Sequence, residues 1–151
     1  MKQSNQTEIN KAIVRRFYDE VFNQRNFDAI DQLLDDAYIN HDPTSLAPSD
    51  RASIKQFARR MAVAFPNHHY QIEDMVAEGD KVVVRCTLTA RPSGYFPGCL
   101  EMRLDNTSIC QRQIHILRLQ GGKLIEHWVL RDDLSMMQQL DIIPVLSCSS
   151  N

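Results

Sequence analysis

The chain has 151 residues, 43% of them hydrophobic, which is enough for one domain with its own core. Its 17 basic and 19 acidic side chains give a formal net charge of −2 with neither sign in a run, which excludes the charge pattern of nucleic-acid-binding or anionic-membrane-binding proteins. Because neither an apolar leader nor a run of about 18 apolar residues occurs, we expect a cytoplasmic protein with no membrane partner.

The first half of the chain has the apolar spacing of helices. Apolar residues recur in steps of four over residues 7–23, which predicts an amphipathic helix. A short helix is predicted over residues 28–36, with the Asp28 carboxylate at its start. A third helix is predicted over residues 54–65, ending at Pro66.

From Tyr70 onward the apolar period changes to two, which is typical of strands. Residues 70–77 and 81–90 are predicted to form a hairpin. Residues 91–106 mix Pro, Gly and aromatic side chains, and this composition indicates a long loop or an interrupted strand over a cavity mouth. A short terminal helix is predicted over residues 134–140.

Residues 111–133 form the second predicted hairpin, which turns at Gly121 and Gly122. With those glycines in the turn, His115 lies opposite Trp128 and Gln111 lies opposite Asp132. Alternation then predicts one mostly apolar face with a few polar groups, as in a small-molecule pocket. Its members are His115, Leu117, Leu119, Leu124, Trp128, Leu130 and Asp132.

Three helices followed by about four long antiparallel strands predict an α+β fold. We expect the helices to cover one face of a curved antiparallel sheet that wraps around the first helix and encloses a cone. The single domain should have a core over about residues 8–142 and a frayed tail at 145–151.

Four segments resemble the SnoaL-like polyketide cyclase family of the nuclear transport factor 2-like superfamily. They are FYDEVFN, YINHDP, FPNHHYQIEDMVAEGDKVVVR and HILRLQGGKLIEHWVLRD, within about residues 10–140. The resemblance implies a cone-shaped α+β barrel, a homodimer through the sheet, and neither a metal nor an organic cofactor. The absence of CxxC spacing also argues against zinc.

In cyclases of that family an aspartate four residues after the tryptophan acts as general acid/base in an aldol closure. The resemblance therefore implies this role for Asp132. The chain departs from the family where Pro92 replaces a histidine and a Pro-Pro-Thr-Gly stretch is missing. Because loops at the mouth of a scaffold set specificity, we expect a substrate other than a tetracyclic polyketide ester.

The candidate catalytic residues are Asp132, His115 and His41. Asp132 would move the proton, although Asp132 or Asp133 could instead cap the terminal helix, and alternation assigns the cap to Asp133. His115 would assist, unless it is a buried histidine satisfied by Gln113 or by a backbone group. His41 would lie at the cavity mouth, unless it belongs to a local Asx turn.

Seven residues are candidates for binding the substrate. Trp128 forms the pocket wall on this interpretation, and Arg91 lies beside the variable loop, where it would meet an acidic group. Aromatic and methionine side chains at helical spacing are otherwise usually core, and an arginine is usually a surface charge. The full set is Trp128, Arg91, Tyr18, Phe65, Met61, Phe96 and Leu130.

These observations predict a cofactor-independent cyclase or isomerase that acts on a hydrophobic polyketide- or terpenoid-like intermediate of specialised metabolism. Two alternatives remain open. An epoxide hydrolase would need an Asp-Arg-Asp arrangement around a water, for which Asp74, Arg85 and Asp132 have the residue types. A non-catalytic ligand-binding domain would need only the cone.

Overall fold

The computed structural model describes residues 2–42, 48–93 and 108–145, with side chains from residue 5 onward. The predicted helices are confirmed, except that the second ends at Leu33 rather than near Asp36, where the chain is already in a strand. They are α1 (Lys2–Arg16), which continues as a π-helical segment (Phe17–Asn23), α2 (Ala29–Leu33), α3 (Arg51–Ala64) and α4 (Asp133–Gln139). The Asp50 side chain caps α3 by accepting from the Ser53 N–H at 2.8 Å. None of the helices in the described ranges has the length and apolar composition to cross a membrane.

Five strands form one curved sheet against which the helices pack. They are β1 (Leu34–Asn40), β2 (His69–Glu78), β3 (Lys81–Ala90), β4 (Ile109–Gln120) and β5 (Lys123–Arg131). Their order is β1-β5-β4-β3-β2, in which β1 pairs with β5 in parallel and the other pairs are antiparallel. The α+β prediction is confirmed, with β1 added where the sequence predicted the end of a helix and a loop.

The inner face of the sheet is the face covered by the helices. Val14, Tyr18 and Val21 from the first helical segment are at most 1% exposed, as are Val82 and Leu117 from the sheet. Burial of these apolar side chains supplies the main driving force for folding. It also places the N-terminal helical segment against β2 and β3.

The β4–β5 hairpin contains an irregularity that its sequence period does not predict. Its turn is as expected, with Gln120 paired to Lys123 and Leu119 paired to Leu124. The register then shifts by one residue, because Ile125 is an extra residue on β5 and forms a β-bulge.

The bulge overturns the predicted pairing. His115 pairs with Val129 rather than with Trp128, and Trp128 pairs with Ile116 instead. Because side chains alternate along a strand, a shift of one residue moves every later side chain of β5 to the opposite face. The second expected pair is wrong for the same reason, since the backbone N–H of Asp132 bonds to the carbonyl of Arg112 rather than meeting Gln111.

Candidate active site

Three successive inward positions of β4 carry polar side chains. Gln111, Gln113 and His115 are 2%, 3% and 6% exposed, and exposed residues separate them along the strand. Strand alternation therefore directs all three to the inner face. Buried polar groups of this kind are stable only when they are hydrogen-bonded.

These side chains form a continuous row of hydrogen bonds. The His115 Nε2 atom lies 2.8 Å from Gln113 Oε1, and the Gln113 amide donates to Gln111 Oε1 at 2.7 Å. The Gln111 amide donates to Asp133 Oδ1 at 2.7 Å. Asp133 is the first residue of α4, so one end of the row lies where β5 passes into the last helix.

The row continues from His115 toward β1. His115 Nδ1 lies 2.8 Å from His127 Nε2, and the two ring planes are nearly parallel, with an interplanar angle of 9°. His127 Nδ1 lies 3.0 Å from Asn40 Oδ1, which also accepts from the backbone N–H of Asp42 at 3.3 Å. We call the six linked side chains of Asp133, Gln111, Gln113, His115, His127 and Asn40 the polar network.

Arg131 lies between two carboxylates beside this network. Its guanidinium donates to both oxygens of Asp42, at 2.7 and 3.3 Å, and its Nε lies 3.5 Å from Asp133 Oδ1. The side chain is 20% exposed and that of Asp42 is 12% exposed. Partial burial and two-point contact make this an ordered ion pair rather than a solvated one.

Aromatic rings surround His115 on the helix side. The Tyr18 ring meets His115 edge to face, with centroids 5.4 Å apart, and also contacts the Tyr70 ring. The Tyr18 hydroxyl is buried and has no hydrogen-bond partner among the described residues. Burial raises the pKa of both Tyr18 and Tyr70, so both remain neutral donors.

Burial sets the charge of the two histidines. It lowers the pKa of His115 well below its ordinary value, and the neighbouring His127 and Arg131 act in the same direction. Burial likewise lowers the pKa of His127 to about 4, although the Asp42 carboxylate opposes this. Both rings are therefore neutral near pH 7, and each has one nitrogen that donates and one that accepts.

Comparison with known proteins places this geometry in a family. The sequence profile of the SnoaL-like polyketide cyclase family matches residues 12–140. The chain belongs to the SnoaL-like polyketide cyclase family. No curated protein matches the chain.

Solved structures agree with the SnoaL-like assignment. A candidate polyketide cyclase from Acidithiobacillus ferrooxidans is 28% identical, with a TM-score of 0.77 over 88% of this chain and 94% of that one. TsrD from Streptomyces laurentii is 22% identical, with a TM-score of 0.77 over 90% and 97% of the two chains. An LEH-like epoxide hydrolase from M. tuberculosis is 16% identical, with a TM-score of 0.70 over 89% and 91%. The last two show the fold alone.

Asp132, the residue that the SnoaL-like pattern assigns to acid/base chemistry, lies outside the polar network. Its side chain caps α4 by accepting from the Ser135 N–H at 3.1 Å and pairs with Arg112 at 2.9 Å. The Arg112 contact, then the cap, lowers the pKa of Asp132. The prediction that Asp132 faces the pocket and Asp133 caps the helix is wrong, because the bulge reverses the two.

Trp128 and Leu130 lie on the outer face of the sheet, again because of the bulge, so their predicted place in the pocket wall is wrong. Leu130 is 76% exposed. His41 is also exposed and stacks on Trp128 with centroids 4.6 Å apart, away from His115. Its neighbourhood is the Asx turn that Asn40 makes, the alternative that the sequence left open.

The remaining predicted residues fall in three places. Phe65 and Met61 are buried in the hydrophobic core, as their helical spacing allowed. Arg91 is exposed and donates to Ser108 Oγ at 3.0 Å, and Phe96 lies outside the described residues. Tyr18 is the one predicted binding residue that contacts His115 in the described parts of the chain.

Sequence reasoning missed most of the polar network. The signal for Gln111 and Gln113 was present, because both share the alternation of His115 along β4. His127 and Asp133 could not be found from alternation, since the extra residue in β5 inverts it. Asp74 and Arg85 are the other two members of the expected hydrolase set. They are cross-strand neighbours on β2 and β3 and are exposed on the outer face.

No group of three or more potential metal ligands converges within residues 2–42, 48–93 and 108–145. The polar network itself offers hydrogen-bond donors and acceptors. A carboxylate, two neutral imidazoles and a buried phenol suit the movement of protons.

Proposed function

We propose that the protein is a cofactor-independent cyclase or isomerase in which Asp133, rather than Asp132, is the general acid/base. The observation that carries this proposal is the hydrogen-bonded row that runs from Asp133 to the His115–His127 pair. A carboxylate at the end of a buried, oriented network is suited to take a proton from a carbon acid and to return it elsewhere.

The position of Asp133 supports this role. Its side chain is 38% exposed, whereas His115 and the two glutamines are almost fully buried, so Asp133 is a member of the network that a substrate can reach. Gln111 and Arg131 hold its oxygen at 2.7 and 3.5 Å. Both contacts fix the direction in which the carboxylate points, which acid/base catalysis requires.

Tyr18 is the proposed donor to a substrate oxygen. A buried hydroxyl that lacks a partner costs about 1–3 kcal/mol, and a carbonyl or enolate oxygen of a substrate would remove that cost. Its raised pKa keeps it protonated while charge develops on the oxygen.

The proposed substrate is an apolar polyketide- or terpenoid-like intermediate with an acidic C–H beside a carbonyl. Family membership supports this class, and the aromatic side chains of Tyr18, Phe22 and Tyr70 around the inner face supply apolar surface. Cyclisation then needs only the proton shuttle and a template that holds the reacting carbons together.

A substrate panel tests the proposal. Wild type, Asp133→Asn and Asp132→Asn are incubated with polyketide and terpenoid carbonyl compounds, and binding and products are followed by native and chromatographic mass spectrometry. We expect all three proteins to bind a ligand and Asp133→Asn alone to lose conversion. Equal conversion by all three would remove Asp133 from the mechanism, and binding without conversion by any of them would favour a ligand-binding domain.

A second candidate function is epoxide hydrolysis. The inner side of the sheet does contain an Asp-Arg-Asp arrangement, made by Asp42, Arg131 and Asp133 rather than by the residues that the sequence suggested. Reaction in H₂¹⁸O separates the two functions. A hydrolase would place ¹⁸O in a diol product, whereas a cyclase or isomerase run in D₂O would place deuterium on carbon.

We also propose a homodimer through the outer face of the sheet. A row of apolar side chains crosses four strands there, formed by Val76, Val83, Ile116 and Trp128 in register. Val76 is 58% exposed and Leu130, in the next row, is 76% exposed. Exposed apolar surface of this extent favours association, and an identical face on a second copy is self-complementary.

A further inference from the structure

The polar network has acceptors at both ends. Asn40 Oδ1 already accepts the Asp42 backbone N–H, which identifies that atom as the oxygen and makes His127 Nδ1 the donor to it. At the other end the ionised Asp133 carboxylate can only accept. Each end therefore dictates which way the neighbouring side chains point.

The donor directions that the two ends impose conflict at the contact between the two imidazoles. From Asp133, the Gln111 amide must donate, then the Gln113 amide must donate, and Gln113 Oε1 faces His115 Nε2. From Asn40, the neutral His127 ring has its proton on Nδ1 and a bare Nε2. The Asp133 charge polarises the two amides toward Gln113 Oε1, so that His115 keeps its proton on Nε2.

A proton is then missing between the rings. His115 Nδ1 and His127 Nε2 lie 2.8 Å apart, a hydrogen-bond distance, yet neutral rings oriented in this way bring two lone pairs face to face. The six side chains have five contacts, and neutral rings with an ionised carboxylate supply protons to four of them.

We infer that the polar network of the free protein lacks one proton at the His115–His127 contact, and that this vacancy allows Asp133 to act as a base. When Asp133 takes a proton from a substrate C–H, the C–H bond breaks, its electron pair stays on carbon, and an O–H bond forms. The network charge changes from −1 to 0.

The protonated network can satisfy every contact. Both amides turn over, so that the Asp133 hydroxyl donates to Gln111, Gln111 donates to Gln113, and Gln113 donates to His115 Nε2. One proton leaves His115 Nε2 and one binds Nδ1, so the ring stays neutral and donates to His127. Tyr70 bonds Gln113, and because a hydroxyl both donates and accepts, it allows either amide orientation.

The charged and titratable groups around the pair are consistent with a single mobile proton. Tyr18 faces His115 from the helix side, Tyr70 on β2 bonds Gln113, and burial keeps both protonated. Burial also raises the pKa of Cys86 on β3 to about 12. Arg131 and Asp42 are paired to each other beside His127.

His41 is the remaining titratable neighbour of His127, and its exposed ring stacks on Trp128. The lowered pKa of His115 and of His127 supports neutral rings in the free protein at pH 7, which is the state that contains the vacancy.

The Asp133→Asn variant tests the vacancy directly. The side-chain amide of an asparagine at position 133 can donate to Gln111. Each of the five contacts can then contain one hydrogen while both rings stay neutral, and no proton has to be added. We expect ¹⁵N NMR of the ligand-free wild type to show His115 as the Nε2–H tautomer and His127 as Nδ1–H. In Asp133→Asn, His115 should change to Nδ1–H while His127 stays as it was.

Asp132→Asn is the matched control, because it removes the adjacent carboxylate from the outer face and should leave the His115 tautomer unchanged. An identical His115 tautomer in wild type and Asp133→Asn would overturn the inference. If Asp133→Asn does not fold, the pH titration of wild type decides instead. The two rings should take up one proton together with a common midpoint, and independent titration would overturn the inference.

The inference rests on the proposed function for the source of the proton, but the test does not. The NMR signatures belong to the ligand-free protein and need no substrate. A tautomer change without any effect on turnover would refute the role of Asp133 in catalysis and leave the vacancy standing. Loss of turnover without a tautomer change would refute the vacancy and leave the role of Asp133 in catalysis standing.

Discussion

The two faces of the β4–β5 hairpin invert the usual distribution of polarity. On the inner face, Gln111, Gln113 and His115 are almost fully buried. On the outer face, Ile114, Ile116 and Leu130 are 48%, 37% and 76% exposed. A hairpin selected only for stability would place these two groups the other way round.

The difference shows what each face is for. Burying three polar side chains is tolerated because each is hydrogen-bonded within the polar network, and such a network fixes orientation. Exposing apolar side chains on one face of a sheet is typical of a surface that another protein covers. One extra residue, Ile125, maintains the arrangement, because it sets which side chains of β5 join which face.

Deletion of Ile125 should have the largest effect on the two faces of the hairpin. Without the bulge, Arg131 and His127 would turn outward, and Trp128 and Leu130 would turn into the buried network. We expect loss of cooperative thermal unfolding by circular dichroism. Ile125→Ala, which keeps the residue count and the bulge, should still unfold cooperatively. A deletion variant that folds like wild type would contradict the importance of the bulge.

Asp133→Asn should abolish the chemistry of the inner face. Removing a general acid/base should lower kcat by about 100-fold or more. Asp132→Asn should leave kcat unchanged, because asparagine caps a helix as well as aspartate does. Turnover of the first substrate converted in the panel measures both variants, and a large loss in Asp132→Asn would restore the assignment made from sequence.

Leu130→Asp should prevent dimerisation through the outer face. A carboxylate at this 76% exposed position would have to be desolvated in a dimer, so we expect monomers by sedimentation velocity. Val63→Asp, on α3 and 68% exposed, is the control that adds the same charge away from the sheet. A dimer that survives Leu130→Asp but dissociates in Val63→Asp would place the interface on the helices.

The inner face should make stability depend on pH. The pKa of His127 is about 4 in the folded protein against an ordinary value of 6.5, so the unfolded chain binds more protons between these values. Stability is therefore full above about pH 6.5 and falls as the pH drops toward 4, with His115 acting in the same direction. Urea unfolding across this range measures the slope, and His127→Gln should reduce it.

Tyr18→Phe should change the stability of the fold least, and any change should be an increase rather than a decrease. Removing a buried hydroxyl without a partner among the described residues should leave stability unchanged or raise it by about 1 kcal/mol. The same change should weaken binding of a carbonyl ligand. Destabilisation by several kcal/mol would mean that the hydroxyl has a structural partner in the folded protein.

The sequence predicted the long regular elements well and the site poorly, for a physical reason. Helix α3 and strands β2 to β5 have several turns or repeats of a clear apolar period, which local patterns can detect. Strand β1 has two adjacent acidic residues, Asp35 and Asp36, that hide its period, so it was missed. A bulge is one residue long, and its effect on which face β5 presents depends on tertiary pairing rather than on local sequence.

The most direct test of the account measures which ring meets His115. Side-chain proton NOEs in the ligand-free protein should connect His115 to His127, whose facing nitrogens lie 2.8 Å apart, and to the Tyr18 ring. Trp128 should show NOEs to His41 instead. NOEs between His115 and the Trp128 indole would mean that β5 has no bulge, and that Asp132 rather than Asp133 faces the inner side of the sheet.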